Sequence, residues 1–310
     1  MLFSPTPLHI PDGFLSLFVS ILFWLLTIMV LSVAVRRTED LDEKQVPLMG
    51  VMAAFIFAAQ MINFPVAGGT SGHLLGGALA AIMLGPWAGM LVMTAVVSVQ
   101  GLLFQDGGLL VMGANIFNMG LLTAAIGFGL YKAAEGRKRT LKLGAAGLGA
   151  WLSVMAGALF TALQLWLSGT ARLDIVMPAM LGVHAVIGLG EALITVAALG
   201  FIFRTRPDLI EESDSPAHGG RGWIWVGGLI SLIVVFLSPF ASADPDGLER
   251  VAINMGFIST GADSPFSVLP DYTLPFLGET GLSTILAGVA GILIVGALMV
   301  FFARRRAKSA

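Results

Sequence analysis

Nine apolar runs in a chain of 310 residues leave room for little besides membrane-spanning helices. The runs lie at about 14–35, 47–64, 72–84, 86–104, 112–131, 144–168, 176–203, 223–240 and 281–303. A spanning helix needs about 20 mostly apolar residues, and every run except 72–84 comes close to that. Gly85-Pro86 joins the short run tightly to the next, so it is a short or a re-entrant helix. Only 12% of the residues are charged, against about 25% in a soluble domain. The expected fold is an all-α polytopic membrane protein with about nine transmembrane or re-entrant helices. The 39 glycines fit such a bundle, because small residues let helices approach closely in lipid.

The charges orient the bundle. With the N-terminus outside and nine crossings, the cytoplasmic segments are 36–46, 132–143, 204–222 and 304–310. These hold fifteen of the seventeen Lys and Arg residues, and only Arg172 and Arg250 fall elsewhere. Such a bias is the positive-inside pattern. It puts the C-terminus in the cytoplasm, and His9, His73, Asp106 and the 242–280 loop on the outer face. The residues before the first run contain no Lys or Arg, so they do not read as a signal peptide. The expected location is the cell's inner, cytoplasmic membrane, crossed many times. No basic run exceeds the four residues after the last helix, so the expected partner surface is the lipid bilayer and not a nucleic acid.

The chain divides in two. Residues 1–7 form an extension ahead of a glycine-rich bundle at 8–203. Residues 204–222 (RTRPDLIEESDSPAHGGRG) are polar, with Pro, Ser and Gly, and read as a cytoplasmic linker. Residues 223–310 form two helices around a polar outer loop of about 40 residues.

Four histidines and no cysteine restrict any metal chemistry to imidazole, carboxylate, backbone nitrogen or thioether. His9 lies in LHIPDGF ahead of the first helix, and His73 in NFPVAGGTSGHLLGG. Each reads alone as an interfacial or packed residue at a helix junction. Together, on one membrane face, the two imidazoles suit a borderline divalent metal such as nickel or cobalt. Ser71 or Thr70 reads as a cap for the helix that follows. His184 and Glu191, in HAVIGLGE, share one helix face. They read either as interhelical polar contacts or as part of a transport path, and a membrane enzyme or metal sensor built on that face is the alternative function. His218 falls in the linker. Asn63, Gln60, Gln100, Gln105, Asn115 and Asn118 are amides in or near apolar runs. They bind helices together or orient the ligand rings, Asn63 being the first candidate for the latter. The 15 methionines are scattered and read as core filler. No G-x-x-x-x-G-K-[ST] occurs, so the chain has no P-loop for ATP, and no H-E-x-x-H suggests a protease.

The segments HIPDGFLS, VPLMGVMAAFIFAAQMINFPVAGGTSGHLLGG, LGPWAGMLVM, LFQDGGLLVMGANIFNMG and HAVIGLGEALIT resemble the substrate-binding membrane component of energy-coupling-factor nickel/cobalt transporters, the CbiM/NikM family, over residues 8–203. ADPDGLERVA resembles the PDGLE domain, a two-helix accessory subunit of such systems, here fused. The resemblance implies capture of Ni²⁺ or Co²⁺ as transported substrate. It also implies a separate transmembrane coupling protein, and ABC-type ATPase partners that hydrolyse the ATP. It further implies a planar, all-nitrogen site, made here of the amine at Leu8, the amide and ring of His9, and the ring of His73. The family begins Met-His-Ile-Pro-Asp-Gly, whereas seven residues precede Leu8 here, so an amine at Leu8 requires a start at that position or trimming. Binding needs neutral imidazole, so it should weaken below about pH 6, as rings protonate near their usual pKa of about 6.5.

Overall fold

The computed structural model describes residues 9–38, 41, 45–210 and 222–307. Leu8, the 1–7 extension, His218 and most of the linker lie outside them. Each apolar run has become a helix. The first is α1 (Leu17–Arg37), started by the Ser16 hydroxyl on the Val19 N–H and ended by Arg36 and Arg37. α2 (Gln45–Gln60) leads into a small antiparallel hairpin, β1 (Phe64–Val66) and β2 (Thr70–Gly72), with Pro65 opposite Ser71. The hairpin turns through Gly68 and Gly69, both at positive φ, which side chains rarely tolerate.

α3 (Gly77–Leu84) is eight residues long, about 12 Å, far short of a bilayer core of about 30 Å. Gly85 turns the chain, and Pro86 opens α4 (Pro86–Val99), which ends in a π-turn at Gln100–Phe104. α5 (Met112–Asn115), a second π-turn (Ile116–Leu122) and α6 (Thr123–Ala133) form one continuous rod. α7 (Arg139–Leu167) and α8 (Leu173–Thr205) pack side by side, and α9 (Gly222–Leu237) and α11 (Gly281–Ala307) complete the spans. Among the described residues, seven helices are long and apolar enough to cross a membrane: α1, α4 with its π-turn, the α5–α6 rod, α7, α8, α9 with its last 3₁₀ turn, and α11. The chain is a multi-pass membrane protein. The 242–280 loop carries a further amphipathic helix, α10 (Gly247–Met255), capped by Asp246 on the Glu249 N–H.

The C-terminal helices are part of the bundle. α9 and α11 pack against α2. Any Cβ on Gly291 would come within 2.1 Å of the Phe57 ring, so only glycine lets α11 lie this close. Arg306 also donates to the Val35 carbonyl at the end of α1.

Candidate metal centre

The segment before α1 is pinned from several sides. Asn115 holds the backbone of Ile10 at both ends: its Oδ1 accepts from the Ile10 N–H (3.1 Å) and its Nδ2 donates to the Ile10 carbonyl (3.0 Å). The Asp12 carboxylate accepts from the N–H groups of Leu109, Leu110 and Val111 at 2.9–3.2 Å, where the open N–H groups of the rod's N-terminus favour an anion. Asp12 also accepts, through its carbonyl, from Ala262 of the C-terminal part at 2.7 Å. His9 is thereby fixed at the end of the bundle.

His73 comes from the other direction. Between β2 and α3 the chain runs non-helically through residues 73–76, and bare backbone inside a membrane protein needs partners. Glu191 of α8 supplies them, accepting from the Leu75 N–H at 2.6 Å and the Gly76 N–H at 2.9 Å. Gln60 of α2 donates to the Leu75 carbonyl at 2.7 Å. The break lets His73 face inward instead of lying along a helix.

The two rings meet edge to face, their centroids 5.7 Å apart, and both are buried, with 2% of His9 and 7% of His73 exposed. His9 Nδ1 lies 2.9 Å from the Asp106 carbonyl and His73 Nδ1 3.0 Å from the Leu74 carbonyl. A carbonyl only accepts, so both Nδ1 atoms carry the hydrogen and both Nε2 atoms keep a lone pair for a metal. His9 Nε2 is buried with no hydrogen-bond partner. The rings line a cavity of about 80 Å³, with His184, Asn118, Met180 and Asp246 also on its wall. Among the described residues no three or more His, Cys, Asp and Glu side chains are placed to hold one metal.

Burial lowers the pKa of His9, against the opposing pull of Asp106, so its ring is neutral near pH 7 and able to bind a cation. Burial pushes Asp246 up to about 7.

His184 reaches the cavity, its Nδ1 tied to the Met180 carbonyl at 2.8 Å. Glu191 grips the backbone beside His73. Ser71 does not cap α3. Its hydroxyl donates to the Asp244 carbonyl (2.7 Å) and its N–H to the Pro245 carbonyl (2.9 Å), while Gly76 starts α3 with no side-chain cap. Asn63 is not on the cavity wall; its carbonyl accepts from the Ser242 N–H. Asn115 and Asp106 hold the His9 segment. Sequence reasoning put Asp106 on the outer face with His9 and His73 but gave it no contact, and it gave none to Tyr272 or to Asp246, whose motif has no legible role until α10 is seated.

The C-terminal part covers the centre. Besides the bonds to Ser71 and Asn63, Arg250 donates to the Gly69 carbonyl in the hairpin turn. A Cβ on Gly247 would meet the His184 and Ile187 side chains at 2.8 Å.

Residues 9–209 match the family model described as the cobalt uptake substrate-specific transmembrane region. The chain belongs to that family. Residues 221–306 of this family member match the PDGLE domain. The chain is 37% identical to a protein of Archaeoglobus fulgidus named as a fused nickel transport protein NikMN, over 94% of this chain and 96% of that one. It is 27% identical to the fused nickel transport protein NikMN of Rhodobacter capsulatus, over 93% and 95%. A crystal structure of a truncated transition metal transporter is similar, with a TM-score of 0.57 and 34% identity, covering 63% of this chain and 98% of that one.

Proposed function

We propose that this chain is the metal-capturing membrane subunit of an ATP-driven nickel/cobalt uptake transporter of the energy-coupling-factor type. Ni²⁺ or Co²⁺ enters from the outer face of the cytoplasmic membrane and is held between the rings of His9 and His73. The observation that carries this reading is the pair of buried imidazoles facing one cavity beside a break in the helical path. The distribution of Lys and Arg supports the outward orientation of that end. The sequence has no P-loop, so hydrolysis falls to ABC-type ATPases, joined to this chain by a transmembrane coupling protein. Relatives of this chain carry the names of both metals, fused nickel transport proteins and cobalt transport proteins.

Two purified forms test the donor set: the full chain, and one beginning Met-His9. Only Nδ1 closes a six-membered ring with a histidine's own amide, so a planar set with the Leu8 amine and the His9 amide requires His9 to give up its bond to Asp106. Much tighter binding by the short form, with a yellow square-planar Ni²⁺ absorption, identifies that set. Equal binding leaves the two rings as the protein donors. No binding by either form overturns the proposal.

A membrane enzyme or sensor on the His184/Glu191 face has less support, because both Glu191 oxygens are engaged by backbone N–H groups.

A further inference from the structure

A divalent cation between the two rings needs a negative charge near it, whichever atoms bind it. Two neutral imidazoles leave both of its charges uncompensated, and a planar set with one deprotonated amide leaves one. A buried charge without a partner of opposite sign is strongly disfavoured. Among the described residues that line the cavity, Asp246 is the one acid. The carboxylates nearby are engaged elsewhere. Asp12 takes the N–H groups of Leu109, Leu110 and Val111, and Glu191 those of Leu75 and Gly76. Asp106 Oδ2 accepts from the Tyr272 hydroxyl at 2.6 Å.

Asp246 comes from the C-terminal part, yet it is only 5% exposed. It stands in Asp244-Pro245-Asp246-Gly247, the turn that opens α10. The bonds from Ser71 to the Asp244 and Pro245 carbonyls fasten this turn to β2, two residues ahead of His73. Gly247, whose missing Cβ makes room for the His184 ring, lets the turn press onto the cavity. Asp246 Oδ1 accepts from the Glu249 N–H at 2.7 Å, and among the described residues Oδ2 has no hydrogen-bond partner. That single bond does not offset burial, which holds the pKa up at about 7. A cap alone would be supplied equally well by Asn or Ser, and neither carries a charge. The side chains of His9, His73 and Asp246 are not placed to hold one ion between them, so the carboxylate acts across the cavity and not as a donor.

We infer that Asp246 is the counter-charge for the captured cation: the C-terminal part contributes to the centre the negative charge that the ring donors lack. The helix cap fixes the carboxylate through Oδ1 and leaves Oδ2 to face the ion. Unit charges about 7 Å apart, at an effective dielectric of about 20, are worth a few tens of fold in affinity. The inference rests on the metal lying between His9 and His73, and it holds whether the His9 amide joins the donors or the rings bind alone.

The test uses the full purified chain, with Ni²⁺ and Co²⁺ salts as probes, and compares wild type, Asp246→Asn, Asp246→Ser and His73→Ala. Calorimetry gives affinity, the visible spectrum reports the donors, and the melting temperature of the metal-free protein reports the seating of α10. Both replacements keep the cap, so Asp246→Asn and Asp246→Ser should melt like wild type. Both should bind Ni²⁺ and Co²⁺ at least about tenfold more weakly, with the Co²⁺ absorption band in place. Wild-type affinity in Asp246→Asn overturns the inference. A shifted Co²⁺ band also overturns it, because Asp246 is then a donor. So does weaker binding that comes with a lowered melting temperature in both variants, because the seating of α10 then accounts for it. If Asp246→Asn does not fold, Asp246→Ser with the same three readouts decides in its place. If His73→Ala binds like wild type, the assignment of the ring pair itself fails, and that outcome is separate from the behaviour of Asp246.

Discussion

The rings of His9 and His73 lie 5.7 Å apart and at 63° to one another, brought together by a pinned N-terminal segment and a broken helical path. If they hold the metal, His9→Ala and His73→Ala each reduce Ni²⁺ affinity by more than about 100-fold, above the range for outer partners. His184→Ala costs about tenfold at most. Calorimetric titration of the purified variants measures all three. Intact binding by His73→Ala alongside its loss in His184→Ala would place the centre elsewhere.

Glu191 is predicted to matter through backbone, without touching the metal. Glu191→Gln leaves an amide NH₂ against one of two buried N–H donors, and an unsatisfied buried donor costs about 1–3 kcal/mol. The expected result is a lower melting temperature in detergent, together with weaker Ni²⁺ binding as residues 73–76 lose their register. A variant with wild-type melting and weakened binding would instead give Glu191 a direct part in capture.

Acidification should release the metal at lower pH than free imidazole suggests. The binding form is neutral. Burial pushes the His9 pKa down, so that ring stays neutral to a pH below the usual value of about 6.5. Affinity should therefore hold through neutrality and fall with a midpoint below that value. Ni²⁺ titrations across the acid range check this; a midpoint above 6.5 would mean that His9 is more solvated than the structure has it.

Gly247 is the contact point of the cover. A methyl group there meets His184 Cε1 and Ile187 Cδ1 at 2.8 Å, tighter than packing allows, so Gly247→Ala lifts the start of α10. Ni²⁺ dissociation into excess chelator, followed by stopped flow, should be several-fold faster on the scale of one lost contact of about 1 kcal/mol. An unchanged rate would mean that α10 does not limit exit.

Gly13 tests the docking of the two halves. It has a φ of 90°, and a Cβ would lie 2.0 Å from the Thr260 carbonyl oxygen. Gly13→Ala should destabilise the protein by about 1–3 kcal/mol, seen as a lower melting temperature, and should weaken metal binding by disturbing the neighbouring Asp12 clamp.

Much of this was legible in the residues. Apolar run length and helix propensity act locally, so all nine runs were placed, and the shortness of 72–84 was visible in its composition. The two histidines stood out because imidazole in apolar surroundings is rare. Other features were not legible. The sequence suggested a cap for Ser71, but the hydroxyl found Asp244, a partner far along the chain that no local pattern could propose. Asn63 reads as an orienting amide because it precedes the His73 loop; the amide that grips the backbone next to His9 is Asn115, because the rod's N-terminus abuts Ile10.

The sequence by itself determined that this chain lives in a bilayer, where its helices lie, that metal chemistry had to run without thiolate, and which family it resembles. Hydropathy, residue type and motif are properties of short stretches. Only the tertiary structure decided that His9 and His73 share one cavity, that Glu191 mends the broken backbone between hairpin and α3, and that Asp246 and Tyr272 from the C-terminal part reach the centre. Those facts depend on close approach between distant segments, set by packing and by the need of every buried N–H and carbonyl to find a partner.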